Sequence, residues 1–254
     1  MNTYKAIFSY DGSSYKGWQK QPSEETIQGT IEKVLIKLSK SEKILVIGSG
    51  RTDAGVHATR QVVKIEIPIE INSLALHKGL NSLLPQSIRC IELEECDSGF
   101  QPVFHAKKKV YRYYFVNGGM QNPHYYKKVT HLKKEIDIGR AQEVLSLFVG
   151  EKDFVNFSTK GTPVKTTIRR VDSFGLQKVE KNGYLDNLNE LYYLEITGNG
   201  FLKQMVRLIA GAVFSYSESK ISKELITSFF DEERSDKVAP TAPPDGLYLY
   251  DVKY

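Results

Sequence analysis

The chain has 254 residues, with 35 Lys+Arg against 30 Asp+Glu and so a net charge of +5 with His neutral. At 41% apolar and 11% aromatic residues it can bury a substantial core, which excludes a disordered tail or a collagen-like repeat. Two cysteines, Cys90 and Cys96, are too few for a disulfide framework or a four-cysteine zinc site, and the five histidines fall at no metal-ligand spacing.

The first strand is expected over Tyr4–Tyr10, where apolar and polar residues alternate before the turn Asp11-Gly12-Ser13-Ser14. Ile27, Ile31, Val34, Leu35 and Leu38 recur at helical spacing. Short strands follow at Lys43–Ile47 and Gln61–Ile67, then a helix over Leu74–Leu84 closed by Pro85, and a strand over Ile88–Leu93. The second half repeats this β-α-β-β-α-β order. Its strands are expected at Val110–Val116, Thr167–Leu176, Leu191–Thr197 and Leu247–Tyr254, and its helices at Ile138–Phe148, Leu202–Phe214 and Leu225–Phe230. The helix at Leu202–Phe214 shows one apolar stripe of Leu202, Met205, Val206, Ile209, Ala210 and Val213. Such a pattern predicts an α+β fold of two related halves, 1–106 and 107–254, with helices covering one face of a continuous sheet that the halves share.

Arg207 interrupts the most apolar stretch, Phe201 to Phe214, which is well short of the ~18–20 residues of a bilayer span. The start Met1-Asn2-Thr3-Tyr4-Lys5 carries no signal pattern. A soluble, cytoplasmic, metal-free protein is the expectation.

Charge is unevenly placed. Between Val103 and Arg140 nine Lys/Arg face two acids, leaving a net −2 for the rest of the chain. Tyr111, Tyr113, Tyr114, Phe115, Tyr125 and Tyr126 interleave with those cations. Cations beside flat rings suit a polyanion whose bases stack, and equally a solvated face beside a Tyr-rich strand.

The most unusual stretch is Gly48-Ser49-Gly50-Arg51-Thr52-Asp53-Ala54-Gly55-Val56-His57-Ala58, between two strands. It is neither a dinucleotide fingerprint nor a P-loop. Its glycines permit close approach of another molecule around Arg51, Thr52 and Asp53, although a plain hairpin with a local Asp turn fits as well. Arg207 reads either as a stem-buried surface residue or as the partner that keeps a buried carboxylate ionised. Tyr111 reads most simply as a strand aromatic packing into the core.

The loop GSGRTDAGVHA resembles the signature of the TruA family of tRNA pseudouridine synthases. Four further segments resemble that family in order and spacing: YDGSSYKGWQKQ at 10–21, VYRYYF at 110–115, GNGFLKQMVRLIAG at 198–211 and APTAPPDGLYL at 239–249. The resemblance implies the pseudouridine synthase fold, two related β-α-β-β-α-β halves sharing one large, mostly antiparallel sheet with a central basic cleft. It also implies a homodimer that isomerises uridine to pseudouridine at positions 38–40 of the tRNA anticodon stem-loop, without a cofactor. It implies Asp53 as the catalytic carboxylate, Tyr111 as the residue that stacks on the target base and handles the C5 proton, and Arg207 as the partner of Asp53. Arg51 is expected to help open the stem. Thr52, Lys107, Lys108, Lys109, Arg112 and Lys203 are expected to contact the RNA with it. Aligned on Tyr111, Gln101 and Val103 stand where the family carries a His and an Arg. That departure leaves two other expectations beside the first: a synthase acting on a different RNA site, or a non-catalytic RNA-binding protein on the same scaffold.

Overall fold

A computed structural model describes residues 1–161, 164–180 and 190–254. It is a mixed α+β chain of mostly antiparallel strands in two compact units, Met1–Lys107 with Tyr248–Tyr254, and Lys108–Leu247. Among the described residues no helix is long and apolar enough to cross a membrane.

In the first unit β1 (Asn2–Tyr10) lies antiparallel to both β3 (His57–Ile67) and β4 (Ile88–Glu95). The edge piece β2 (Leu45–Gly48) pairs with the far end of β3, Val46 opposite Ile65. The last strand of the chain, β10 (Leu247–Lys253), runs parallel to β3 through Tyr248 and Leu249. Two helices complete the unit, α1 (Ile27–Ser39) and α2 (Ser73–Leu83). Each begins at a side-chain cap: Thr26 Oγ1 accepts the Gly29 amide and Asn72 accepts that of Leu74, satisfying N–H groups the helix itself leaves open. Ile27, Ile31 and Leu35 of α1 are fully buried, as are Ala6 and Phe8 of β1 and Val63 and Ile65 of β3.

In the second unit β5 (Lys108–Asn117) is antiparallel to β9 (Leu191–Gly198), β9 to β8 (Ile168–Lys178), and β8 to β7 (Gly150–Asp153). A three-residue strand, β6 (Thr130–Leu132), runs parallel to the end of β5. The helices are α3 (Ile138–Glu143), α4 (Met205–Ser217) and α5 (Lys223–Ser228). Aromatic rings dominate its core: Phe148, Phe154, Phe157 and Phe230 pack together with centroids 4.9–6.2 Å apart, mostly edge to face, the geometry that ring quadrupoles favour.

Several expected elements are redrawn here. The helix expected over Ile138–Phe148 stops at Glu143 and tightens into a 3-10 turn over Leu145–Phe148. Its three-residue repeat aligns Leu145 with Phe148, and both are buried. The helix expected from Leu202 starts at Met205, because Gln204 takes a left-handed conformation with φ of 62°. Nor is α4 striped: every residue in it except Arg207 is buried, as in a helix that is covered all round. Strands β6 and β7 lie outside the expected pattern, being three and four residues long and without apolar alternation.

Candidate active site

Asp53 stands in the first unit, Tyr111 and Arg207 in the second. The loop that carries Asp53 leaves β2 and turns into β3, and its shape is set by hydrogen bonds at each step. Ser49, wholly buried, donates its amide to Val62 O at 2.8 Å and its hydroxyl to Gln61 Oε1 at 2.8 Å, while Gln61 Nε2 donates to Gly50 O at 2.7 Å. The Thr52 hydroxyl lies 2.9 Å from the Tyr10 hydroxyl. The Val56 amide closes the bend onto Asp53 O at 3.1 Å. Asp53 itself is half-buried, and Arg51 beside it is exposed.

A second stretch of the chain clasps this loop from outside. The Trp18 amide donates to Thr52 O at 3.0 Å, and the Gly55 amide to Tyr15 O at 3.2 Å. Gly17 has a φ of 95°, and a β-carbon on it would stand 2.6 Å from Thr52 O, so only glycine lets the two segments approach this closely. At the loop's far end His57 is 1% exposed; its Nδ1 accepts the Gly12 amide at 3.2 Å, lies 3.2 Å from Asp11 Oδ1, and its ring stacks on Tyr248 at 4.5 Å. Two segments noticed separately in the sequence, YDGSSYKGWQKQ and GSGRTDAGVHA, are thus one structure. Tyr10, Trp18, Gln61 and His57 position the loop, although sequence spacing alone singles out none of them for that task.

The other three segments interlock in the second unit. Tyr111 on β5 is 8% exposed and meets Phe201 edge-on at 5.1 Å. Arg207 Nε donates to Ala242 O at 2.8 Å, and the Ala242 amide returns to Arg207 O at 3.1 Å, so the Ala-Pro-rich segment is tied to α4 at this arginine. The Tyr113 hydroxyl donates to Pro243 O at 2.8 Å, and the Tyr114 amide to Gly246 O at 2.7 Å. Arg207 is therefore held at its Nε while the rest of α4 is buried, which fixes where the guanidinium emerges.

The cations expected at RNA divide by their surroundings. Lys108 Nζ lies 3.2 Å from Asp172 Oδ2, and Arg112 Nε donates to Glu195 Oε2 at 2.6 Å with its guanidinium 4.5 Å from the Tyr193 ring. Lys107 and Lys203 are exposed, with their backbones held by Lys253 and Thr159 respectively. Lys109 is different: burial pushes its ammonium down to about 8, and the Arg169 guanidinium adds to the shift.

This arrangement corresponds to a known family. The chain matches the family described as tRNA pseudouridine synthase over residues 6–104 and 144–254, and it belongs to that family. Among curated relatives, tRNA pseudouridine synthase A of Thermodesulfovibrio yellowstonii is 38% identical over 257 residues, covering 100% of both chains. The protein of the same name from Caldicellulosiruptor bescii is 37% identical with 100% of both chains covered. That of Limosilactobacillus fermentum is 35% identical over 100% of this chain and 96% of its own.

Proposed function

We propose that this protein is a cytoplasmic, homodimeric tRNA pseudouridine synthase that acts on uridines 38–40 of the anticodon stem-loop, with Asp53 as its catalytic carboxylate. The reaction breaks the C1′–N1 bond, turns the uracil over, joins C5 to C1′ and releases the C5 proton, while N1 takes one up. An ionised carboxylate serves this either by attacking C1′ or by removing a sugar proton. In the proposal Arg207 is the cation that keeps Asp53 ionised in a site emptied of water, where burial alone would favour the neutral acid.

Reaching C1′ and C5 requires the nucleotide to leave its stem, at a cost of a few kcal/mol. Tyr111 is assigned to stack on the extruded base, an interaction worth about 1–3 kcal/mol, and to handle the C5 proton. Arg51, exposed at the tip of the Asp53 loop, is assigned to fill the vacated place in the stem. Thr52 is assigned to the RNA beside Arg51, and its buried hydroxyl also meets Tyr10 and braces the loop.

The observation that most supports this reading is the loop 48–58, whose hydrogen bonds and glycine contacts all serve to display Asp53 between β2 and β3. It is tested by tritium release from tRNA transcripts containing [5-³H]uridine, with wild type and Asp53→Asn in parallel. Release by wild type alone, with RNA binding retained by the variant, is the expected result. Equal release by both would falsify the role of Asp53, and release by neither, with tight binding kept, would move the protein to another RNA site or to a non-catalytic role.

A further inference from the structure

After β4 the chain runs through a segment, 96–107, that is pinned along its length within the first unit. The Cys96 amide donates to Thr3 O at 3.0 Å, the buried Lys64 ammonium donates to Ser98 O, and the Lys107 amide donates to Lys253 O at 2.8 Å. In its middle the His105 amide donates to Gln101 O at 3.0 Å, which closes one helical turn that is not continued. The floor of that turn is aromatic. Phe100 meets Tyr254 at 5.4 Å and His105 at 6.0 Å, and the Tyr254 hydroxyl donates to the carbonyl of buried Pro102 at 2.7 Å.

The tip of the turn stays in water. Phe104 is 82% exposed and its neighbour Val103 45%, and among the described residues no other large apolar side chain is as exposed as Phe104. Solvated turns are ordinarily made of Gly, Asn, Asp or Ser, so a fixed turn that holds out a phenyl ring offers apolar surface to a partner. Charge selects the partner. From Ser98 to Lys109 the sequence has three lysines and no acid. Lys107 and Lys253 are both exposed, and the bond between their backbones sets them together at the end of the segment. The bordering acids are engaged elsewhere: Asp97 accepts the Gly99 amide, Glu94 meets Lys5 at 2.8 Å, and Asp251 meets Arg60 at 3.5 Å. A flat apolar ring among lysines suits a nucleobase, whose faces stack and whose phosphate is anionic. A second copy of the chain meeting the first at this tip would instead bring the same lysines face to face, and like charges oppose that.

We infer that Phe104 stacks on an unpaired base of the RNA, with Lys107 neutralising a phosphate of the same strand. An unpaired nucleotide is the class that fits, because bases inside a stem have both faces covered. This contact rests on the proposed RNA substrate and adds to it a base platform separate from the one assigned to Tyr111. Lys108, tied to Asp172 at 3.2 Å, has no share in it.

Binding of unmodified tRNA transcripts to the full-length protein tests it. Phe104→Ala is expected to lose about tenfold in affinity with its log–log salt slope unchanged, because stacking releases no counterions. Phe104→Tyr and Phe104→Trp should bind as wild type does, since any flat ring serves. Lys107→Gln should make the slope shallower by about 1. Trp18, the only tryptophan, is 2% exposed, so Phe104→Trp adds a second fluorophore that stands in water. The emission added by that substitution should be quenched by tRNA.

Full affinity in Phe104→Ala, or added emission that tRNA leaves unchanged, would overturn the inference. So would a Phe104→Ala protein that sediments at half the wild-type mass, which would place the tip between two copies of the chain. An unchanged salt slope in Lys107→Gln would remove the share given to that lysine. The quenching experiment keeps a ring at position 104, so it decides even where Phe104→Ala fails to fold. A wild type that binds no tRNA sinks the functional reading and this inference with it. One that turns over tRNA while Phe104→Ala binds as tightly sinks this inference alone.

Discussion

On one face of β5 stand Lys109, Tyr111, Tyr113 and Phe115; on the other stand Lys108, Arg112 and Tyr114. Both faces hold cations and rings, the second with buried Val110 among them. On the first, Tyr113 and Phe115 are fully buried against Phe214 of α4, and Tyr111 meets Phe201. On the second, each cation has a carboxylate, and Tyr114 meets Tyr193 at 5.4 Å on a half-buried surface. A carboxylate beside a surface cation holds it in place but contributes little stability where water has access to both. Basic composition along β5 is thus a poor guide to the surroundings of each cation.

The contrast is broken most sharply by chemistry. Tyr111→Phe is expected to slow tritium release by about a hundredfold or more while leaving tRNA affinity nearly intact, because the ring stays and the proton-handling hydroxyl goes. An unchanged rate would return Tyr111 to a packing role. For stability, Phe115→Ala should cost about 3–5 kcal/mol in denaturant unfolding, since it empties a fully buried aromatic site. Tyr114→Ala, on the half-buried face, should cost only about 1 kcal/mol; equal losses would mean that the two faces are packed alike.

Acid–base behaviour sharpens the contrast further. Before RNA binds, Lys109 gives up its proton at about 8, with the Arg169 charge adding to the effect of burial and Tyr111 beside it on its own strand. In the proposed RNA contact of Lys109, a phosphate beside it favours the ammonium and raises that value, so binding takes up a proton above the unbound pKa. Affinity for tRNA is therefore full below pH 8 and should fall by about tenfold between pH 7 and 9. Lys109→Arg, always charged, should flatten that profile, and a profile equally steep in the variant would assign the titration elsewhere. The smallest effect belongs to the other face: a double-mutant cycle on Arg112 and Glu195 should give less than about 1 kcal/mol of coupling, because both side chains keep access to water.

Much of this was legible in the residues. Apolar periodicity located α1, α2 and most of the long strands, because those elements bury one face or both and the burial leaves a period. Nothing comparable marks β6 or β7, which are short and take their partners from elsewhere in the unit. The helix start at Met205 and the helix end at Glu143 were also hidden, since they depend on the backbone of Gln204 and on where Leu145 and Phe148 find room. At the candidate site, the sequence pointed to Asp53, Tyr111 and Arg207 through their motifs. It did not point to Tyr10, Trp18, Gln61 or His57, whose contacts with the Asp53 loop leave no pattern along the chain.

The sequence by itself determined the family, the order of most elements and the five segments that resemble it, because motif identity and local periodicity are written along the chain. Only the tertiary structure decided that those segments form two interlocked clusters, one bracing Asp53 and one bracing Tyr111 and Arg207. It alone decided that Lys108 and Arg170 share Asp172. Those outcomes depend on which strand lies next to which and on which carboxylate comes within reach. Such contacts join residues as far apart in the chain as Tyr113 and Pro243, 130 positions from each other, and leave no local pattern to read.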